Sequence, residues 1–547
     1  MRKRALCTAL LLLPLFASAQ KPPKLPGIGE TIEVSIVNVD VFVTTKDGKR
    51  VRGLTKNDFD VFENGIRQPI TNFAEYDEEA TKTPAAPEAA TKEEAPKLVQ
   101  PAQERTVILF FDRFYLPKFQ NDPLFASIKK LLHDTVRPGD RAMIVTWNRG
   151  VLLTTQDFTD SLAKLDRALN AVATISSKPI LDRTAETKWM IAFTQSMDDE
   201  ATASGVSTVG DSLADLELQS VAERERYDLI HKISTINALM RSIAAVDGKK
   251  ILMLATHRLS KSAGAEHYYA AGKEFIPSEH EGALDMRPYI KTMEDTANAN
   301  GVTIYPVMPE GLQSQQSDII GSSPADYRIL ANETPILREV AEETGGLMAW
   351  GSKDVGALLP AVQDDLDSYY SLAYRVNGSG TDKGRKIVVK VKNPSLTVRS
   401  RREYMEKSDV TRMEDRVIAA LFRNPPSPGS IPLHVALGQR KTRGKQYLLP
   451  VTVHIPIASL TALPTGNQFA GSFSVYFAWG GTVGGLSDTK HETKTYRIPA
   501  AEMEKAKAGH LTYDVELNAD QHTDRVSLGV FDEVSKEYAL RLIDLKR

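Results

Sequence analysis

At 547 residues, with 42% apolar residues, 25% charged residues and a formal charge of −2, the chain has the composition of a folded, multidomain protein. Its near-neutral balance gives no electrostatic footprint for nucleic acid, and no nucleic-acid partner is expected. The single cysteine, Cys7, lies inside the leader, which excludes thiolate catalysis, disulfides and cysteine-bound metal from the rest of the chain.

Residues 1–19 carry the three parts of a secretory signal: Arg2, Lys3 and Arg4, an apolar run over 5–16, and the small-residue site Ala17-Ser18-Ala19. Export to a periplasm or the medium is therefore expected, with the mature chain starting near Gln20. The apolar run is too short for about 30 Å of hydrocarbon, Pro14 interrupts it, and no second long apolar run follows. No membrane span is expected after cleavage.

Ile32, Val34 and Ile36 alternate, then Val37, Val39, Val41 and Val43 alternate on the other parity, a phase change that predicts a strand with a bulge. Lys46-Asp47-Gly48-Lys49 predicts a hairpin turn, and the stretch from Leu54 to Asn64-Gly65 predicts a capped turn of helix, a short strand and a second turn. Residues 32–77 thus read as a β-rich module. Residues 78–104, made of Ala, Pro, Glu, Lys and Thr with almost no large apolar side chain, read as a disordered linker.

Over 105–376 continuous apolar strands alternate with amphipathic helices. The strands are 107–111, 142–147, 151–154, 251–255, 302–307 and 347–350. Helical stripes run through Phe125, Ile128, Leu131 and Leu132, through Leu162, Leu165, Leu169 and Val172, and through Leu229, Ile233, Ile236, Met240 and Ile243. Strands apolar on both faces mean a mainly parallel, doubly wound α/β sheet covered by helices on both sides. Polar stretches at 174–220, 257–285 and 309–331 interrupt the pattern as insertions, which at such lengths are functional or disordered. A β extension over 377–408 follows, and 409–547 reads as a helix followed by the evenly spaced strands of a β-sandwich.

Val37-Asn38-Val39, Leu54-Thr55-Lys56-Asn57-Asp58-Phe59, Val61-Phe62-Glu63-Asn64-Gly65, the strand ending at Asp112, Arg137-Pro138-Gly139-Asp140-Arg141, Tyr369-Tyr370-Ser371-Leu372-Ala373-Tyr374 and the segment Gly384-Arg385-Lys386-Ile387-Val388-Val389-Lys390-Val391 follow one another in this order. On these motifs the chain resembles the acidobacterial VWFA-related family of exported proteins, and its central region resembles a von Willebrand factor type A domain. The resemblance covers most of 32–405.

What it implies is a binding fold, whose type A domains commonly hold Mg²⁺ through a D-x-S-x-S loop helped by a Thr and an Asp from two other loops. Such an ion wants near-octahedral oxygen at about 2.0–2.1 Å, with one vertex left for a partner's carboxylate. Only Asp112 carries over. Phe114 and Leu116 stand at the serine positions, Thr256-His257-Arg258 stands where the family has Ser-Asp-Gly, and the Thr-bearing loop falls within 174–220. A degenerate metal-ion-dependent adhesion site, with no metal and no cofactor, is the expectation. Asp112 then reads as a solvent-facing strand-end carboxylate, or alternatively as one paired with Arg113 or Arg258 in place of the ion.

No HExxH, His-x-His, G-x-S-x-G, Walker A or dinucleotide glycine motif is present, and His280-Glu281 lacks a second histidine. Tyr268, Tyr269, Tyr369 and Tyr370 are candidates for a contact patch. The reading is an exported, non-enzymatic protein-interaction protein whose protein partner is unidentified. Its candidate binding crest is Asp112, Arg113, Tyr115, Thr256 and His257, at the carboxyl ends of the strands. The alternatives are an Mg²⁺-dependent adhesin with ligands from the insertions, a structural envelope component and, last, a hydrolase with an unrecognised carboxylate pair.

Overall fold

Strand Arg105–Asp112 is buried along its whole length, and its side chains divide by parity between two cores. Ile108 and Phe110 face one core with Leu229, Ile233, Ile236 and Met240 of the long helix Ser207–Ser242, while Val107, Leu109 and Phe111 face another with Phe125, Leu165 and Val362. That division is what a strand apolar at every position requires. In this computed structural model the strand sits inside a seven-stranded sheet, in the order Ala349–Trp350, Val302–Met308, Lys249–Ala255, Arg105–Asp112, Arg141–Asn148, Val151–Thr159 and Val483–Gly484. The first five strands are parallel; Val151–Thr159 returns antiparallel by a hairpin, and Val483–Gly484 pairs with its outer edge. The molecule is thus mixed α/β, with a mostly parallel central sheet and several antiparallel ones.

The structure describes residues 34–77, 99–100, 104–112, 123–148, 151–174, 192, 196, 207–244, 246, 248–256, 259–271, 273–276, 282–308, 324–377, 380–422, 428–444, 446–481, 483–484 and 487–545. The expected leader at 1–19 lies outside them. Among the described residues no helix is long and apolar enough to cross a membrane.

The N-terminal β unit departs from the expected domain plan. One of its sheets has the order Leu396–Ser400, Val34–Thr45, Ser368–Asn377, Ile70–Asp77, Val99–Gln100; the other has the order Glu403–Met405, Gly384–Val391, Phe59–Glu63, Ile66–Gln68. Val37, Val39, Val41, Tyr370, Leu372 and Tyr374 of the first meet Phe59, Val61, Ile387 and Val389 of the second in one core. A boundary at 376 therefore cuts through a sheet: segments 34–77 and 368–405 form one unit, and the α/β unit is inserted between its halves. Chain leaving and returning at adjacent strands makes such an insertion possible, because Ile70–Asp77, after which the chain leaves, pairs directly with Ser368–Asn377, on which it returns.

The expected bulge in the first strand is absent. Its register is continuous from Val34↔Asn377 to Val41↔Tyr370 and from Val41↔Ser400 to Thr45↔Leu396. Ile36, which created the apparent phase change, is simply exposed. The expected linker 78–104 also contains a short strand, Val99–Gln100, parallel to Ile70–Asp77. The turns are as anticipated: Gly48 and Gly65 have φ of +79° and +82°, and Thr55 with Asp58 forms a capping box.

This β unit docks on the amino ends of the central strands through charge. Asp365, fully buried on the helix Gly351–Asp367, accepts hydrogen bonds from Arg399 at 2.7 and 2.9 Å, from Arg50, and from the Tyr305 hydroxyl at 2.8 Å. Lys249 pairs with Asp40 at 2.7 Å and stands 4.4 Å from the Phe42 ring centroid. Tyr369 and Tyr370 are buried here and Tyr268 is buried elsewhere, so the four tyrosines form no surface patch.

A cleft of about 810 Å³ opens between this unit and the helices Arg287–Asn300 and Pro324–Thr344. Glu294 lines it, 4% exposed, with Oε1 lacking a hydrogen-bond partner; burial, with Glu339 and Glu343 adding, pushes its carboxyl up to about 8. A raised folded pKa means the protonated form is favoured by folding. Its contribution is present below the ordinary 4.5 and is lost as pH rises toward 8. Glu294→Gln is therefore expected to stabilise the protein by about 1–3 kcal/mol at pH 8.5 and to leave it unchanged at pH 4 in urea unfolding. Equal effects at both pH values would contradict the burial argument.

The C-terminal region is a β-sandwich. Gln446–Pro456 and His510–Asp520 form the heart of one antiparallel sheet; Gln468–Gly480, flanked by Lys490–Pro499 and Arg525–Asp532, forms the other. Leu449, Val451, Val453, Leu517 and Ala519 pack against Val475, Phe477, Val526 and Leu528 between them. The outer face of the second sheet is covered by helix Asp409–Leu421, capped by Ser408, which also packs on the long helix through Arg241–Asp415 at 2.5 Å. Gly529 permits that approach, since a Cβ there would stand 2.8 Å from Val417 Cγ2.

Candidate functional site

Asp112 ends its strand and Thr256 directly follows the neighbouring strand, so parallel pairing brings the two to one point at the carboxyl ends of the sheet. Asp112 is 0% exposed and Thr256 1%, so the solvent-facing reading of Asp112 is corrected. Among the described residues a cation beside it is Lys232, from the long helix. Its ammonium, 1% exposed, donates to Asp112 Oδ2 at 2.7 Å and to Thr256 Oγ1 at 3.3 Å; the Thr256 hydroxyl donates to the same Oδ2 at 2.9 Å.

Lys232 was not among the expected residues, although a signal for it existed. It lies three residues after Leu229 and four before Ile236, inside the apolar stripe that buries the helix on the sheet. A lysine there has to find a buried anion, and Asp112 is the carboxylate within reach. Trp147, 1% exposed, roofs the neighbourhood, its ring centroid 5.2 Å from that of His231, whose imidazole is held below its ordinary pKa by burial, with Asp228 opposing.

Chemically, the arrangement sets one buried, tethered positive charge against a buried carboxylate and a hydroxyl. An ammonium holds oxygen through N–H donors and, tethered to its helix, does not dissociate as a bound ion does. Phe114 and Leu116 lie outside the described residues, as do Arg113, Tyr115, His257 and Arg258. Of the five expected crest residues the structure therefore brings Asp112 and Thr256 together, and both are interior. Their side chains hold the ends of two strands in register and do not reach a partner.

The insertions are more structured than expected. The latter part of 174–220 is the start of the long helix, and 257–285 contains helix Ala265–Ala270. Ala265, Tyr268, Phe275 and Leu284 of that segment pack on Leu218, Val221 and Ala222 of the long helix as a satellite core.

No family model matches the sequence, and no curated protein matches it. Among solved structures the chain is similar to the TFIIH p34 N-terminal domain, at 13% identity over 47% of this chain and 94% of that one, with a TM-score of 0.18. It is also similar to a β-glucosidase from Kluyveromyces marxianus in complex with glucose, at 10% identity over 57% of this chain and 33% of that one, with a TM-score of 0.13. At such TM-scores neither likeness carries an argument about fold or chemistry.

Proposed function

We propose that this chain is an exported, non-enzymatic protein-interaction protein. Its central unit is a von Willebrand factor A-like domain in which a lysine has taken the place of the Mg²⁺ ion. The observation that carries the reading is the contact of Lys232 with both Asp112 and Thr256. Asp112 is the one metal-loop position of the resemblance that retains its oxygen ligand, and a buried ammonium lies against it and the neighbouring Thr256 hydroxyl. A crest assembled this way is permanently set, and its recognition of a protein partner is independent of Mg²⁺. The candidates for partner contact are then Arg113, Tyr115 and His257, which follow Asp112 and Thr256 in sequence.

The thermal midpoint of residues 20–547, stripped of transition metals and returned to chelator-free buffer, is expected to be the same with and without millimolar Mg²⁺ or Ca²⁺. A rise of several degrees with either ion would reveal a site linked to folding and overturn the lysine-for-metal reading. Capture of a protein partner from envelope extract is expected to persist in EDTA and to be lost in Tyr115→Ala.

A further inference from the structure

The strongest chemistry outside the crest lies two turns back on the same face of the long helix. Glu225 precedes Lys232 by seven residues, about 10 Å along the helix axis. Its carboxylate accepts or shares a hydrogen bond with His267 Nε2 at 2.7 Å, and one ligand atom each from Glu225, Glu266 and His267 lie within 4.8 Å of one another. All three side chains are buried, at 8%, 4% and 5% exposure.

From this geometry we infer that Glu225, Glu266 and His267 form a site for a transition-metal dication, Zn²⁺ by preference, that fastens the 259–285 insertion to the long helix. Two carboxylate oxygens and one imidazole nitrogen are a borderline donor set that suits zinc and disfavours Mg²⁺ and Ca²⁺, which take oxygen alone. Zinc bonds of about 2.0–2.2 Å in a tetrahedron place ligand atoms roughly 3.3 Å apart. The hydrogen-bonded pair therefore has to part by a few tenths of an ångström and the third donor has to close in, with water at the fourth vertex.

The scaffold around the three residues is rigid enough to hold that geometry. Gly264, at φ +68°, begins the turn that carries Glu266 and His267, and a Cβ on it would lie 2.5 Å from the Cα of Ala222. The insertion is thus pressed against the long helix one turn from Glu225, and the apolar contacts of Leu218, Val221 and Ala222 with Ala265 and Tyr268 fix the angle of approach. Ligand side chains on two elements locked together in this way need little reorganisation to bind. The site shares no residue with the crest, so it stands whether or not the crest proposal does.

The test is zinc content by elemental analysis after equilibrium dialysis of the full mature chain against micromolar Zn²⁺ with millimolar Mg²⁺ present. One equivalent is expected for the wild type and for Glu223→Gln, an exposed neighbour on the same helix. Glu225→Gln and His267→Gln, which keep size and a hydrogen bond, are expected to lose at least about tenfold in affinity, the lower end of the effect of losing even an outer-shell partner. Zinc absent from the wild type, or retained equally by both variants, overturns the proposal. Where a variant fails to fold by circular dichroism, Co²⁺ titration of the wild type decides. The intense visible bands of four-coordinate cobalt support the site, and the weak spectrum of the octahedral aqueous ion overturns it.

Discussion

Lys232→Ala is expected to destabilise the central unit by about 3–5 kcal/mol, the cost of stranding a buried carboxylate by removing its partner. For a domain of this size that corresponds to a fall in thermal midpoint of roughly 6–20 °C, at about 2–4 °C per kcal/mol. The magnitude follows from burial: Asp112 and Lys232 are 0% and 1% exposed, so water cannot replace the lost ammonium without opening the carboxyl ends of two strands. Asp112→Asn should cost a similar amount, because it strands the lysine. The double variant Lys232→Ala with Asp112→Asn should cost much less than the sum of the single ones, since neither charge then remains, and the cycle gives the coupling directly. A loss below about 1 kcal/mol for Lys232→Ala would place the pair among exposed ion pairs and remove the basis for treating it as a substitute for metal.

The same residues show what was legible in the sequence. Asp112 stood out because a strand of continuous apolar residues ended in a carboxylate, and the doubly covered sheet followed from that strand and its four apolar neighbours. The absence of hydroxyls at Phe114 and Leu116 was equally plain. The expected partners of Asp112, Arg113 and Arg258, lie outside the described residues, and the structure adds a partner the sequence reading did not include, Lys232 on a helix 120 residues away. Amphipathic patterns are read for their apolar members, and Lys232 lies inside that stripe without being one of them. The β unit was harder for a different reason: periodicity identifies strands without saying which strands pair. Segments 34–77 and 368–405 each read as β, but their shared core of Val39, Tyr374, Val61 and Ile387 depends on contacts across some 300 residues of inserted chain. The cluster of Glu225, Glu266 and His267 escaped for the same reason, since a search for short histidine spacings cannot join residues on separate elements.

Asp365→Asn is expected to release the N-terminal β unit from the α/β unit and to cost about 3–5 kcal/mol at pH 7. Asp365 gathers Arg50 and Arg399 from the β unit and Tyr305 from the central sheet around one fully buried carboxylate, so its charge is the common partner of both sides of the interface. An amide in its place offers one oxygen and leaves two guanidinium groups competing for it, with an NH₂ group turned toward one of them. Burial alone would raise the carboxyl's pKa, but Arg399 and Arg50 outweigh it and hold the group below the ordinary 3.8. A depressed folded pKa means that the stabilisation is complete above the unfolded value and disappears as pH falls through the folded one. The wild type and Asp365→Asn should therefore differ in urea unfolding at pH 7 and converge as the pH falls through the depressed folded-state pKa, where the wild-type carboxyl takes up its proton. Calorimetry of the variant at pH 7 should resolve a separate low-temperature transition for the 34–77 and 368–405 unit, which in the wild type unfolds together with the α/β unit. A difference that persists unchanged into acid, or a wild type in which the two units already melt apart, would show that the apolar contacts around Phe42 and Tyr369 hold the interface and that the charge at Asp365 does not.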